Sequence, residues 1–453
     1  MFELLQEKVS GSVLLHGDGS YETRRSLWNA AIDNKPAAVV VCWSEADIAE
    51  AVRFAADRRI AVSMRAGGHH VGGTAAGEGA LMLDLSGMNK VEVDPVRRVA
   101  VVEAGATLGD VDRETQKHGL AVPTGTVSKT GIAGLTLNGG LGYLRRKYGL
   151  TCDHLIGARL VTANGETIEV GESEFPELLW ALRGGGGNFG VVSSFVYRLQ
   201  PVGPEVLAID ILYDYADLRS ILTQARDYAK SAPDEVTFNI TATQLPPAPF
   251  LPEALHNRRV AIVSGMYAGS SEEGEAAIGP LRRWATPIAD QSAVISYEAL
   301  QQKLDPLVPD SVPVSGTSLY FAELDDEAID RFLRQLDHAP TPAILAQLWP
   351  LGGQMNRIAA QDTAFANRDA SFVLLLDAMA MGASIDSCRE WTQAVYADLL
   401  PFSLKQSSYL NGIAPGGEVV RHAFGGNFER LRELKRQWDP DNRFRHNHNI
   451  DPQ

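Results

Sequence analysis

RAGGHHVGG, residues 65–73, sets two adjacent histidines directly behind a glycine pair. The preceding AVSM reads as a strand, whereas GTAAGEGALMLDLS after it reads as loop and strand with no helix. Successive glycines let backbone N–H groups turn into one concavity, which can cradle a pyrophosphate without a helix dipole. Arg65 either adds a charge-assisted contact to such a ligand or anchors a neighbouring loop. A metal is the competing reading of His69 and His70, but adjacent residues on an extended segment point to opposite faces, and no HxxxH or HExxH completes a ligand set. HNHN at 446–449 places His446 and His448 on one face of an expected strand, again without an identified third ligand. The expectation is an anion-binding turn and no metal.

A second glycine region strengthens that expectation. PTGTVSKTGIAGLTLNGGLGYLRRKYGL, residues 123–150, carries Gly125, Gly131, Gly134, Gly139, Gly140 and Gly142 with little charge before Arg145. So many glycines cost backbone entropy on folding, which makes sense where the backbone must approach a large flat ligand. Two such regions imply an extended nucleotide cofactor. A formal GxGxxG also occurs, at Gly185, Gly187 and Gly190 in RGGGGNFGVV. A dinucleotide fingerprint needs a strand before the turn and a helix after it. Here the helical ELLWALRG precedes and the strand-like VVSSFVYRL follows, so the Rossmann reading is rejected.

The chain has 453 residues and a formal charge of −15, with no basic block to attract nucleic acid. Its mean hydropathy of −0.09 is that of a soluble enzyme, no segment is apolar enough to span a bilayer, and the N-terminus lacks a secretory pattern. A cytoplasmic location is expected. Three cysteines, Cys42, Cys152 and Cys388, form no CxxC pair and give no zinc framework; Cys152 reads as a small buried residue.

The expected fold is α+β. From Pro36, PAAVVVCW is a buried strand, Ser44 and Asp47 form a capping box, and IAEAVRFAADRR is an amphipathic helix. Short strands follow, with NG at 164–165 marking a hairpin, and Thr107 caps an intervening helix. Near Pro201 the pattern changes to strands such as VTFNITATQL and SFVLLLDAMAMG interleaved with helices such as DDEAIDRFLRQLDHA. This predicts an antiparallel sheet backed by helices on one side, its other side free to roof a substrate site. The expected domains are 1–200 with 405–453 for the cofactor and 201–404 for the substrate.

Taken together, these segments resemble the berberine bridge enzyme-like FAD-linked oxidases of the vanillyl-alcohol oxidase (PCMH-type) fold. RAGGHHVGG resembles their pyrophosphate loop, GTVSKTGIAGLTLNGGLGYLRRKYGLTCDHLIGARLVTANG their second flavin segment, and YLN at 409–411 with WDPDNRFRHNHNIDP the C-terminal element that returns over the cofactor. The match is ordered over about 36–200 and 405–452 and weak between. The resemblance implies FAD held by Arg65, Ala66, Gly67, Gly68, His69, His70, Gly73, Gly125, Thr126, Thr130, Gly131, Gly134, Gly139, Gly140, Gly142, Val192, Asn447 and Asn449. It implies that His69 bonds covalently to the flavin 8α carbon, chemistry open to a neutral imidazole nucleophile. Many members add a cysteinyl bond two residues after the glycine that is Gly125 here. That position is Val127, so a single histidyl link is expected.

On the substrate side the resemblance places Tyr409, with Asn411, beside the flavin as proton acceptor; a phenol needs a cation or hydrogen bond to act as a base, and Arg357 and Lys405 are the candidates to assist it, with Asp377 a second candidate base. Gln347 and Trp349 share one face of a strand by period two and are expected to face the flavin, with Tyr320 and Arg357 as further substrate contacts. The activity implied is transfer of hydride from a small alcohol, sugar-like hydroxyl or cyclic amine to flavin N5, with reoxidation by O2 to H2O2. A dehydrogenase with another acceptor and a noncatalytic flavin-binding protein are the alternatives. Expected partners are a small-molecule substrate and O2, without nucleic acid or membrane, in a monomer or homodimer.

Overall fold

The computed structural model describes residues 2–249 and 251–453. Its N-terminal part begins with a four-stranded sheet in which Ala38–Val41 and Val62–Arg65 both pair in parallel with Leu81–Asp84 between them. The helix Glu45–Arg58 connects the two outer strands of that trio. It starts as expected: the Ser44 side chain accepts from the Asp47 amide while Asp47 accepts from the Ser44 amide. Its apolar face, Ile48, Ala51, Val52 and Ala55, is fully buried. The strand Val62–Arg65 runs straight into the RAGGHHVGG turn, so the sheet edge fixes where that turn begins.

A second sheet follows, five-stranded and antiparallel, in the order Val91–Asp94, Val99–Glu103, Val191–Arg198, Leu155–Val161 and Thr167–Gly171. The Asn164-Gly165 turn joins its last two strands, with Gly165 at φ +75°. Thr107 caps the helix Leu108–Gln116 in a box with Asp110. One hydrophobic core gathers Val40, Leu83, Val102, Leu160 and Phe195 together with Leu431, Phe444 and Ile450 from the end of the chain.

The middle of the chain builds an eight-stranded antiparallel sheet containing Glu205–Asp214, Val236–Gln244, Arg259–Tyr267, Val314–Phe321, Ile344–Pro350 and Phe372–Met379. The helices Leu218–Ala229, Asp326–Asp337 and Ile385–Leu399 cover one face, packing on Ile240, Ala242, Leu348 and Leu374 in a second core. Period two turns Thr241, Gln347, Trp349, Leu375 and Asp377 to the opposite face, above the glycine segments. The expected α+β architecture, with a helix-backed antiparallel sheet, is what forms.

One local expectation fails, and two further elements form where the sequence reading assigned none. HNHN forms bends, not a strand; its backbone is held instead by loop contacts, with Asn188 donating to the His448 carbonyl and accepting from the Ile450 amide. The glycine region contains a helix, Ile132–Leu137, opened by Gly131. Val314–Phe321 is a strand although its start, VSGTS, carries a weak apolar signal; full pairing with Phe372–Met379 supplies what propensity lacks. No helix among the described residues is long and apolar enough to cross a membrane.

Candidate active site

Between the glycine segments and the free sheet face lies a cavity of about 320 Å³. Its floor comes from both glycine regions. A Cβ at Gly67 would lie 2.3 Å from the Gly131 amide nitrogen, and one at Gly131 would lie 2.3 Å from that of Gly67. Only two glycines allow the two backbones to meet so closely. The turn continues through Gly68 at φ +70°, and Ala66, Gly67, Gly68, His69, His70, Gly125, Thr126, Val127, Thr130, Gly131 and Gly134 all line the cavity. Gly187, Val192 and Asn447 complete the lining on the side of the five-stranded sheet and the C-terminal segment.

His69 stands at the cavity wall with its ring stacked on Trp28, centroids 5.5 Å apart and planes 12° from parallel. Desolvation lowers its pKa to about 4, against smaller opposing effects of Asp310 and Asp305. The imidazole is therefore neutral at physiological pH, and among the described residues no hydrogen bond engages either ring nitrogen. His70 is tied instead. Its Nδ1 accepts from the Gly72 amide at 3.1 Å, so Nε2 carries the proton and donates to the Leu410 carbonyl at 3.0 Å. His448 Nε2 meets the same carbonyl at 2.7 Å and lies 3.1 Å from His70 Nε2.

That carbonyl belongs to the segment Tyr409-Leu410-Asn411. The phenol oxygen of Tyr409 accepts from the Leu141 amide at 3.1 Å and from Asn411 Nδ2 at 2.9 Å. Asn411 is held in turn, donating to the Leu135 carbonyl and accepting from Asn138 Nδ2. Burial raises the Tyr409 pKa, partly offset by those two N–H donors. The cations expected to assist Tyr409 are elsewhere. Lys405 pairs with Asp369 at 2.6 Å, and Arg357, at the end of the short helix Gln354–Arg357, points outward to Asp234.

Gln347, Trp349 and Asp377 line the roof as expected. Asp377 has no hydrogen bond or ion pair among the described residues, and burial pushes its acid up to about 7. Along its strand, Val373 packs with Tyr409, Tyr320 and Trp349 in one apolar cluster. Four residues of strand carry Asp377 roughly 13 Å away from Val373, towards Val71, Leu345 and Met379.

Several expected contacts are displaced. Arg357 is a surface ion pair, not a substrate contact. Tyr320 is fully buried behind Tyr409, ring centroids 6.4 Å apart, and does not line the cavity. Arg65 anchors a loop, donating to the Arg24 carbonyl at 2.8 Å and lying 3.7 Å from Asp84. Gly73, Gly139, Gly140 and Gly142 lie outside the lining: a Cβ there would meet Ile32, Phe365, Thr151 and the Thr124 carbonyl respectively, so these glycines permit close packing of the walls. Asn449 also lies outside it. Trp28 and Asn138 escaped the sequence reading because each is an isolated polar or aromatic residue in a loop, with no periodicity to mark it.

The donor set fits FAD. A backbone cradle that a Cβ would fill suits the pyrophosphate, and the glycine floor together with a mainly apolar lining suits a flat ring system. Trp28 Nε1, Asn138 Oδ1 and Asn447 Oδ1, in lining residues, are buried without a partner among the described residues, as groups awaiting a heteroaromatic ligand would be.

Fold and site thus define an FAD-binding oxidoreductase of the vanillyl-alcohol oxidase architecture. Residues 36–171 match the model of an FAD binding domain, and residues 402–451 that of the berberine and berberine like family. The chain is 31% identical to (R)-6-hydroxynicotine oxidase of Paenarthrobacter nicotinovorans, over 98% of this chain and 97% of that one. The crystal structure of 6-hydroxy-D-nicotine oxidase from Arthrobacter nicotinovorans superposes with a TM-score of 0.85 at 30% identity, covering 98% of both chains. Glucooligosaccharide oxidase from Acremonium strictum, described with a 6-S-cysteinyl, 8α-N1-histidyl FAD, shares the fold at a TM-score of 0.89 and 23% identity, covering 100% of this chain and 99% of its own. The chain belongs to the berberine bridge enzyme-like family of FAD-linked oxidoreductases.

Proposed function

We propose that the protein is an FAD-dependent oxidase that holds its flavin through one bond, to His69, and dehydrogenates a small alcohol, sugar-like hydroxyl or cyclic amine. The observation that carries this reading is His69 itself. It is a neutral, unengaged imidazole at the wall of a glycine-floored cavity, stacked on Trp28 so that its ring is oriented before any ligand arrives. Val127 lines the cavity where a cysteinyl tether would start. Cys152 is fully buried outside the lining, and burial pushes its thiol pKa well up, which further supports a single bond.

FAD, when bound, would supply the hydride acceptor, with O2 as the final electron acceptor giving H2O2. Residues 1–200 and 405–453 would carry it and 201–404 the substrate face, in a monomer or homodimer working in the cytoplasm. The chain's own groups position the substrate and move its proton. Gln347 and Trp349 present a polar edge and an aromatic face from the roof. Tyr409, in its ionised form, would receive the proton released from a substrate hydroxyl or amine; the N–H groups of Leu141 and Asn411, aimed at its oxygen, favour that form against the burial that opposes it.

Acid precipitation of the purified protein tests the tether. A yellow pellet is expected from the wild type, and His69→Ala should release FAD into the supernatant. Colourless wild-type precipitate would sink the covalent claim. Catalytic oxygen uptake matched by peroxide tests the oxidase reading, and turnover only with an added acceptor would assign a dehydrogenase instead.

A further inference from the structure

We propose that the roof is built to bind a protonated amine, with Asp377 taking the cationic nitrogen and the apolar wall beside it holding the rest of the molecule. The inference rests on the oxidase reading above and narrows its substrate class to small lipophilic organic cations.

Asp377 lies inside the apolar strand Phe372–Met379, where a carboxyl group needs a reason to be. Its cross-strand neighbours are Gly316 and Leu345. A Cβ at Gly316 would fall 2.5 Å from Asp377 Oδ1 and 2.8 Å from Val71 Cγ2. The missing side chain at 316 thus leaves a slot between sheet and turn, and the carboxyl group occupies it. No described residue answers its charge. It makes no hydrogen bond or ion pair among the described residues, and the residues lining the cavity include no lysine or arginine. The lining histidines, His69, His70 and His446, all have proton affinities lowered chiefly by burial. The missing positive charge is left for the ligand to supply.

The surroundings argue against a sugar as the occupant. Leu345 pairs across the sheet with Asp377 and clusters with Val71 and Val308, and all three line the cavity, whereas a carbohydrate presents hydroxyls all round and requires a matching set of polar side chains. An aliphatic or aromatic amine needs one anion and an apolar wall. Burial holds the empty Asp377 acid at about 7, and a bound cation favours its ionised form. The distance from the Tyr409 cluster makes Asp377 a binding residue rather than the group that receives the proton.

Calorimetric titration of the FAD-loaded protein with N-methylbenzylamine and with benzyl methyl ether, its uncharged counterpart of the same shape, tests the proposal. The amine is expected to bind at least about tenfold more tightly than the ether. Asp377→Asn should abolish that preference while leaving the affinity for the ether within about twofold. Gly316→Ala, which crowds the carboxyl group out of its slot, should give the same loss without altering any polar group. Equal affinities in the wild type, or a preference that survives both substitutions, overturns the proposal. Anaerobic bleaching of the flavin is scored separately. Selective, Asp377-dependent amine binding with no bleaching by any amine, by benzyl alcohol or by cellobiose would leave the anchor standing and refute the oxidase reading. Bleaching by benzyl alcohol or cellobiose without amine preference would do the reverse.

Discussion

Neighbouring imidazoles in one turn have taken opposite parts because of what their nitrogens meet. His69 has a ring face against Trp28 and no hydrogen bond, whereas His70 is locked between the Gly72 amide and the Leu410 carbonyl. The sequence could separate them only by resemblance, since His448, the third member of that contact, is 378 residues from His70. Gln347 and Trp349 were legible from strand period, but Arg357 was not, because only the three-dimensional course of its short helix delivers it to Asp234. Tyr409→Phe keeps the packed ring and removes the oxygen, so kcat should fall about 10²-fold with a smaller change in KM, measured by steady-state oxygen uptake. His448 adds a pH dependence. In the fold burial holds its pKa at about 3, while the unfolded chain takes up that proton near 6.5. The unfolded state therefore binds more protons between those values, and stability falls as pH drops through the window. His448→Gln should flatten the acid limb of melting temperature against pH.

Helices and strands with clear periodicity followed the sequence closely, and the capped starts at Ser44 and Thr107 formed with their boxes intact. What periodicity could not reveal is the contact between two loops that carry no side chains to read. Gly67 and Gly131 look like separate turns in the sequence, and only their 2.3 Å clearances show that they form one floor. The helix Ile132–Leu137 was hidden for a related reason: the glycines around and within it lower helix propensity, and tertiary packing of Ile132 and Leu135 restores it. Gly131→Ala should cost about 2 kcal/mol through backbone displacement, and it should lower the flavin content of purified protein, read from the ratio of visible to ultraviolet absorbance. The melting temperature of flavin-free protein should fall less than that of the loaded form.

The second glycine segment meets the eight-stranded sheet at Arg145. It is fully buried, and its guanidinium donates to the carbonyls of Gly142, Pro350 and Phe238 and to Asn239 Oδ1. It also lies against Trp349, 5.0 Å from the ring centroid. One side chain thus joins the second glycine segment to two strands of the eight-stranded sheet. Arg145→Met fills most of the volume and strands those acceptors, so it should destabilise the protein by about 3 kcal/mol in chemical denaturation. Its effect on substrate affinity should exceed that of Tyr320→Phe, which removes a hydroxyl that has no partner. None of this bridge was visible in the sequence, where Arg145 merely ends a glycine run.

The Leu410 carbonyl, gripped by histidines from the first hundred residues and the last ten, also sets an order of events in the life of the chain. During synthesis the glycine floor leaves the ribosome long before Tyr409 and His448 do, and closing so long a loop is slow. The pocket can be completed only once the segment up to His448 has been made, so flavin loading follows synthesis of that segment rather than of the glycine floor alone.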